Sequence, residues 1–268
     1  MFLFLPRKND DDGVVYAGTG SNSTIVAVNS TSGGVLWESA ELGPPELGYG
    51  IPAIPLVWHD YVIAGSAGGD LPSNPGVVQG NITALNRTNG EIIWSLKTTA
   101  GEWVKPENIP PNGGGTVWSG MSFDPDTGVL YAPVGNATPD FNATSRLTPN
   151  YYTNTVMAVN ITNGKMLWAT PFVEHGTVLD VDLPDTHDAD VAFGTSVTKV
   201  TFDNGTQKKM VIGHDKLGHI IAMDPATGDE LWWNRIGTVY RNYAIRFYST
   251  LSIGPDFPTT FWRRHRYL

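Results

Sequence analysis

The chain has 268 residues, 41% of them hydrophobic and 16% charged, with no Cys and a formal net charge of −9. This length and hydrophobic content suffice for a packed core of one or two domains. The acidic balance excludes a nucleic-acid partner, the lack of Cys excludes a disulfide framework and thiolate metal sites, and no stretch is apolar and long enough to span a membrane. Thirty Gly and nineteen Pro, with nine Trp, ten Tyr and ten Phe, point to an all-β fold.

In chain order, residues 1–6 are too short for a signal peptide, and acidic Asn9–Asp12 follow at once. Val14–Gly18 is the first strand candidate. It precedes an eleven-residue pattern: Ala, aliphatic, Asn or Asp, three residues, Gly, three residues, Trp. The first copy is Ala27–Trp37 (AVNSTSGGVLW). Strand candidate Tyr61–Gly65 leads to the second, Ala84–Trp94 (ALNRTNGEIIW). Val129–Val134 leads to Ala158–Trp168 (AVNITNGKMLW), and Lys209–Gly213 to Ala222–Trp232 (AMDPATGDELW). In each copy the Asn or Asp bonds its own backbone to start a turn. The Gly supplies a positive φ, and a second strand ends on a flat Trp suited to docking on the neighbouring unit. A β-propeller of four-stranded antiparallel blades is therefore expected, with four blades present. Trp-to-Trp spacings of 57, 74 and 64 exceed the ~40–45 of a compact blade, so long loops lie between the hairpins.

After about residue 238 the repeat stops. Residues 240–268 are expected to be an irregular basic and aromatic tail, truncated or aberrant, following a partial propeller over 1–239. Residues 241–268 hold five Arg against one Asp. Eight Asn-x-Ser/Thr sequons begin at Asn22, Asn29, Asn81, Asn86, Asn136, Asn142, Asn160 and Asn204. They favour an extracytoplasmic protein, periplasmic or at the cell surface, whose leader this chain lacks. Equally, Asn and Thr simply populate turns.

The hairpin motif and the segments between its copies resemble quinoprotein alcohol dehydrogenases of the methanol and ethanol dehydrogenase type, most closely between Pro55 and Trp233. Gly113–Trp118 (GGGTVW) resembles the family's Gly-rich turn. The resemblance makes Trp118 the residue that stacks on pyrroloquinoline quinone (PQQ) and Thr116 one that bonds it. Gly65–Asp70 (GSAGGD) resembles the stretch ending in a metal-binding Glu. It places Ala67 and Gly68 at the cofactor and Asp70, one methylene shorter, on the metal. Gly135-Asn136 matches a metal-binding Asn, although Asn136 is also a sequon. His187–Asp190 (HDAD) matches the family's Trp-Asp-x-Asp. This makes Asp188 catalytic base and metal ligand, and Asp190 the further ligand of members that use a lanthanide; Asp180, Asp182 and Asp185 lie just upstream as other candidates for that alignment. Lys216, in His214–Gly218 (HDKLG), matches a basic residue that bonds the quinone oxygens. Pro52 replaces an expected cofactor-bonding Thr, and the adjacent-cysteine disulfide ring of many members is absent.

The resemblance implies PQQ with Ca²⁺ or a lanthanide ion, and oxidation of an alcohol by hydride transfer to the quinone. Electrons would pass to a separate acceptor such as a cytochrome or a membrane quinone. The family propeller has eight blades, so missing blades or an oligomer would complete the ring. The alternative is a non-catalytic propeller of the same repeats, acting as a protein-binding scaffold. Convergence of Trp118, Asn136, Asp188, Asp190 and Lys216 on one cavity would separate the two.

Overall fold

The computed structural model describes residues 13–68, 79–99, 113–138, 152–171, 194–215 and 219–235. Their strands form successive antiparallel sheets. The first sheet is β1 (Val14–Gly18), β2 (Ile25–Asn29) and β3 (Val35–Glu38), in that order. The second, ordered β4-β5-β6-β7, uses Leu56–Trp58, Tyr61–Gly65, Asn81–Asn86 and Ile92–Lys97. A two-residue strand, β8 (Gly113–Gly114), precedes the third sheet. That sheet joins β9 (Ser122–Asp124), β10 (Val129–Val134), β12 (Thr155–Asn160) and β13 (Met166–Pro171), while β11 (Ala137–Thr138) pairs with β8. The fourth is β14 (Thr195–Thr201), β15 (Gln207–His214), β16 (His219–Met223) and β17 (Glu230–Arg235). Three sheets thus have the expected four strands; the first has three among the described residues. The only helical element among the described residues is a 3₁₀ turn at Pro45–Leu47.

Each hairpin motif follows one construction. Asn29 Oδ1 accepts the backbone N–H of Thr31 and Ser32 at 3.0 and 2.9 Å. Asn86, Asn160 and Asp224 accept the N–H two residues on, at 2.8–3.0 Å. Gly33, Gly90, Gly164 and Gly228 have φ of 70–77°, which an L side chain rarely adopts. The motif Ala lies directly opposite the motif Trp in every copy: Ala27 and Trp37, Ala84 and Trp94, Ala158 and Trp168, Ala222 and Trp232. All four Ala are 0% exposed. Cross-strand partners share a face, so the small Cβ leaves room beside the indole. The register shifts immediately after the Ala each time, a β-bulge that adds local twist.

The indoles join one sheet to the next. Trp37 Nε1 donates to Arg87 O at 3.0 Å, Trp94 Nε1 to Ile161 O at 2.8 Å and Trp168 Nε1 to Pro225 O at 3.1 Å. Each receiving carbonyl belongs to the hairpin loop of the following sheet. The rings lie over Gly90, Gly164 and Gly228, where an added Cβ would meet ring carbons at 2.5–2.7 Å. The motif glycine therefore has two duties: a left-handed turn and a floor for the preceding Trp.

Strand alternation then builds the core. On β5, Val62 and Ala64 pack with Ile25 and Ile51 towards the first sheet, while Ile63 packs with Leu130 and Met157 of the third. On β10, Leu130 faces the second sheet and Tyr131 packs with Val211, Ile221 and Met223 of the fourth. Both faces are buried, so these strands read as unbroken apolar runs. Full burial of each such side chain contributes about 1.5–3 kcal/mol. A polar clamp reinforces the junction of the third and fourth sheets. Lys209 Nζ donates to both Asp124 carboxylate oxygens (2.7 and 2.6 Å) and to Asp126 at 2.9 Å. The Asp124 side chain is only 2% exposed. Beside it, the Thr195 hydroxyl donates to Tyr131 O at 2.7 Å and accepts from Ser122 at 2.8 Å.

Candidate functional site

The segments singled out in the sequence meet where the strands leave their sheets. Beyond Gly65, the Ala67 N–H donates to Gly50 O at 2.9 Å and the Gly50 N–H returns to Ala67 O at 3.0 Å. Ser66 O accepts the Val117 N–H at 2.8 Å, Thr116 O accepts the Gly135 N–H at 2.9 Å, and Gly135 O accepts the Asn154 N–H at 2.9 Å. One run of backbone bonds therefore links the Ala67-Gly68 turn, the Gly113–Trp118 segment and Gly135-Asn136.

The glycines make this packing possible. Gly114 and Gly115 have φ of +91 and +65°. A Cβ on Gly114 would lie 2.4 Å from Asn136 O, and one on Gly115 2.6 Å from Thr99 Cγ2. Gly68, at φ +131°, would place a Cβ 2.1 Å from Gly48 O. Gly113–Thr116 thus lies as a ladder against Gly135–Thr138, with Gly115 N–H donating to Asn136 O at 2.8 Å. Thr116 is 4% exposed, Asn136 7% and Thr138 1%, while Trp118 is half-buried. The burial of Asn136 leaves no room for a glycan there.

The ladder holds polar atoms with no protein partner. Thr138 Oγ1 in the ladder, Asn154 Oδ1 beside it, Thr99 Oγ1 and Ser119 Oγ are buried and make no hydrogen bond, and so are Ser23 Oγ and Asn81 Oδ1 in the first two sheets. Leaving such an atom unpaired costs about 1–3 kcal/mol. A glycine cradle, a half-buried indole and orphaned hard oxygens form a donor set that fits a flat polar cofactor with an oxygen-loving cation.

Of the site residues expected from sequence, Ala67, Gly68, Thr116, Trp118 and Asn136 are brought together by these bonds. Asp70, Asp188, Asp190 and Lys216 lie outside the described residues, as does the 240–268 tail. Among the described residues no three His, Asp or Glu side chains form a metal cluster. Lys216 is bracketed in sequence by described residues. Asp215, 2% exposed, accepts the His219 N–H at 2.8 Å and pairs with His219 Nδ1 at 2.8 Å. Burial holds the His214 imidazole below its ordinary pKa, with the Asp215 charge opposing. The Asp215–His219 brace and Asn154 were not singled out in the sequence. The first could be suspected from an acid and a histidine four apart across a hairpin. The second has no sequence signal, because Asn takes a left-handed backbone in many ordinary turns. A groove between the end of β3 and the β6–β7 hairpin, lined by Glu38, Ala40, Asn89, Gly90, Glu91 and Ile92, shares no residue with this site.

Comparison with known proteins bears on both fold and site. Residues 40–234 match the family model described as the glucose/ethanol/alcohol dehydrogenase β-propeller domain that carries the label PQQ. The putative dehydrogenase XoxF of Paracoccus denitrificans is 29% identical over 243 residues, covering 82% of this chain and 38% of the relative. The quinoprotein alcohol dehydrogenase PedH of Pseudomonas putida is 30% identical over 176 residues, covering 58% of this chain and 28% of the relative. A europium-containing methanol dehydrogenase superposes with a TM-score of 0.67 at 21% identity, covering 84% of this chain and 40% of that one. The last comparison establishes a shared propeller fold. The chain spans well under half the length of each of these proteins.

Proposed function

The chain belongs to the family of PQQ-dependent alcohol dehydrogenase β-propellers, and from that premise we propose that it forms part of a quinoprotein that oxidises an alcohol. The observation that carries the reading is the buried ladder of Gly113–Thr116 against Gly135–Thr138. It brings the Thr116 and Asn136 backbones to adjacent rungs, with the unpaired Thr138 hydroxyl two residues beyond Asn136.

When bound, PQQ supplies the hydride acceptor and a Ca²⁺ or lanthanide ion supplies Lewis-acid polarisation. Trp118 floors the site and orients a flat ligand by stacking. Thr116 contributes a hydroxyl and Asn136 a hard amide oxygen suited to a Ca²⁺-like cation. Asp70, Asp188 and Asp190 would add carboxylates, a role that rests on their sequence positions. By its sequence position Asp188 would accept the hydroxyl proton of the alcohol, and Lys216 would stabilise negative charge on the cofactor's oxygens. Asp215 and His219, bonded to each other, flank Lys216 in sequence. Electrons leave to a separate acceptor such as a cytochrome or a membrane quinone, outside the cytoplasm. Further blades complete the ring around the residues described.

The test is reconstitution. Purified protein is given PQQ with Ca²⁺ or with La³⁺, and alcohol-dependent reduction of a redox dye is followed together with quenching of tryptophan fluorescence. Saturable quenching by PQQ that requires a metal supports the reading. No PQQ binding under either metal refutes it for this chain.

A further inference from the structure

Tyr49 stands between two parts of the site without belonging to either. Its phenol makes two hydrogen bonds to one residue: Tyr49 Oη donates to Gln79 O and accepts from the Gln79 N–H, both at 3.0 Å. One hydroxyl thus satisfies both backbone groups of Gln79 and fixes it as a neighbouring strand would. The ring is held from its other side, where a Cβ on Gly43 would lie 2.2 Å from Tyr49 Cδ1. Burial raises the phenol above its ordinary pKa, with the Gln79 hydrogen bond opposing, so the hydroxyl keeps the proton that it donates.

Each end of this contact leads to backbone of the site. On one side, Gly50 exchanges both backbone bonds with Ala67, and a Cβ on Gly68 would lie 2.1 Å from Gly48 O and 3.4 Å from Tyr49 Cα. On the other, Gln79 bridges Gly114 in parallel register, and the Gly80 N–H donates to Gly114 O at 2.8 Å. Tyr49 is therefore a cross-tie from the Ala67-Gly68 turn to the Gly113–Thr116 ladder. It is not an element of the repeat. The Ile51 N–H donates to Thr19 O as the Val117 N–H donates to Ser66 O, so the counterpart of Tyr49 is Gly115, which has no side chain. Both tied segments are rich in Gly and hold few side chains that could fix their spacing. The phenol supplies that spacing from outside.

We propose that Tyr49 is a positioning residue of the quinone site: its hydroxyl sets the distance between the Ala67-Gly68 turn and the Gly-rich ladder that leads to Thr116 and Trp118. This rests on the quinone reading above and adds to it a residue that acts through the backbone it holds. A flat ligand held between backbone segments binds tightly only where their spacing is fixed beforehand, so loosening the tie weakens binding beyond its effect on the fold.

The test compares the whole chain as wild type, as Tyr49→Phe and as Thr170→Val. Tyr49→Phe keeps the ring on Gly43 and removes only the hydroxyl. Thr170→Val deletes a comparable bond away from the site, from the Thr170 hydroxyl to Gly228 O at 2.6 Å. Two quantities are measured: PQQ affinity by equilibrium dialysis with Ca²⁺ or La³⁺, and amide hydrogen exchange of the protein alone. Tyr49→Phe is expected to bind PQQ about tenfold more weakly, the scale of losses when a residue that orients a site is removed. Its amides at Gln79, Gly80 and Gly115 should exchange faster than in wild type. Thr170→Val should bind PQQ as wild type does, at a similar melting temperature to Tyr49→Phe. A wild type that binds PQQ and a Tyr49→Phe protein that binds it equally well overturn this inference alone, as does an equal loss in Thr170→Val. A wild type that binds no PQQ with either metal overturns the quinone reading and the inference together.

Discussion

Gly33 and Gly164 occupy the same place in two hairpins, with φ of +72 and +70°. They differ in one respect. A Cβ on Gly33 meets nothing within 4 Å, whereas one on Gly164 would lie 2.7 Å from Cδ2 and Cε3 of Trp94. Gly33→Ala therefore measures the left-handed backbone alone, about 1–2 kcal/mol. Gly164→Ala carries the same strain and in addition drives into the indole. The ring either tolerates overpacking, about 1–3 kcal/mol, or withdraws and gives up its 2.8 Å bond to Ile161 O, about 1 kcal/mol, along with its packing. Gly164→Ala should thus cost about 1–3 kcal/mol more than Gly33→Ala. Urea denaturation followed by far-ultraviolet circular dichroism gives both values without relying on tryptophan emission. In a Trp94→Ala background the excess should vanish. Equal costs for the two substitutions, within about 0.5 kcal/mol, would refute the idea that the motif glycine is the floor for the preceding sheet's Trp.

Two further predictions concern the sheet junction and the cofactor floor. Lys209→Met leaves the Asp124 carboxylate buried without its cation and should cost about 3–5 kcal/mol in the same denaturation assay. Burial raises the Asp124 pKa, but hydrogen bonds from Lys209 and from the Asp126 backbone outweigh it and hold the carboxyl below its ordinary value. Its contribution is therefore complete above the ordinary carboxylate range and lost as pH falls through the depressed value. The stability gap between wild type and Lys209→Met should close at acid pH, and a gap independent of pH would contradict the clamp. Trp118→Ala should weaken PQQ binding about tenfold, measured by equilibrium dialysis, with little change in melting temperature; unchanged affinity would remove the indole from the site.

The hairpins could be found from sequence because their determinants are local. An Asn or Asp that caps its own turn, a glycine that twists it and an Ala that makes room for the Trp opposite all fall within eleven consecutive residues. Strands Val14–Gly18, Tyr61–Gly65 and Val129–Val134 were likewise bounded by turn residues and stand as expected, while the strand expected at Lys209–Gly213 extends over Gln207–His214. The clamp of Lys209 on Asp124 was not accessible, because its partners are 85 positions apart and meet only when two sheets stack. The ladder of β8 and β11 was also missed: two-residue strands, Gly-Gly and Ala-Thr, are too short to show alternation. For the site, chemical types announced Thr116, Trp118 and Asn136. The bond of the Asn154 N–H to Gly135 O was missed because it joins strands nineteen residues apart.

The docking tryptophans also give the chain an arrow. Trp37, Trp94 and Trp168 each reach towards the hairpin that comes later in the chain. On a ribosome, every sheet emerges before the surface that will receive its indole. A newly made sheet can pair its strands at once, yet it stays unlatched until its successor's loop has left the tunnel. Assembly is thus paced from the N-terminus, one latch behind synthesis, and the most recent sheet is always the one with an indole still waiting.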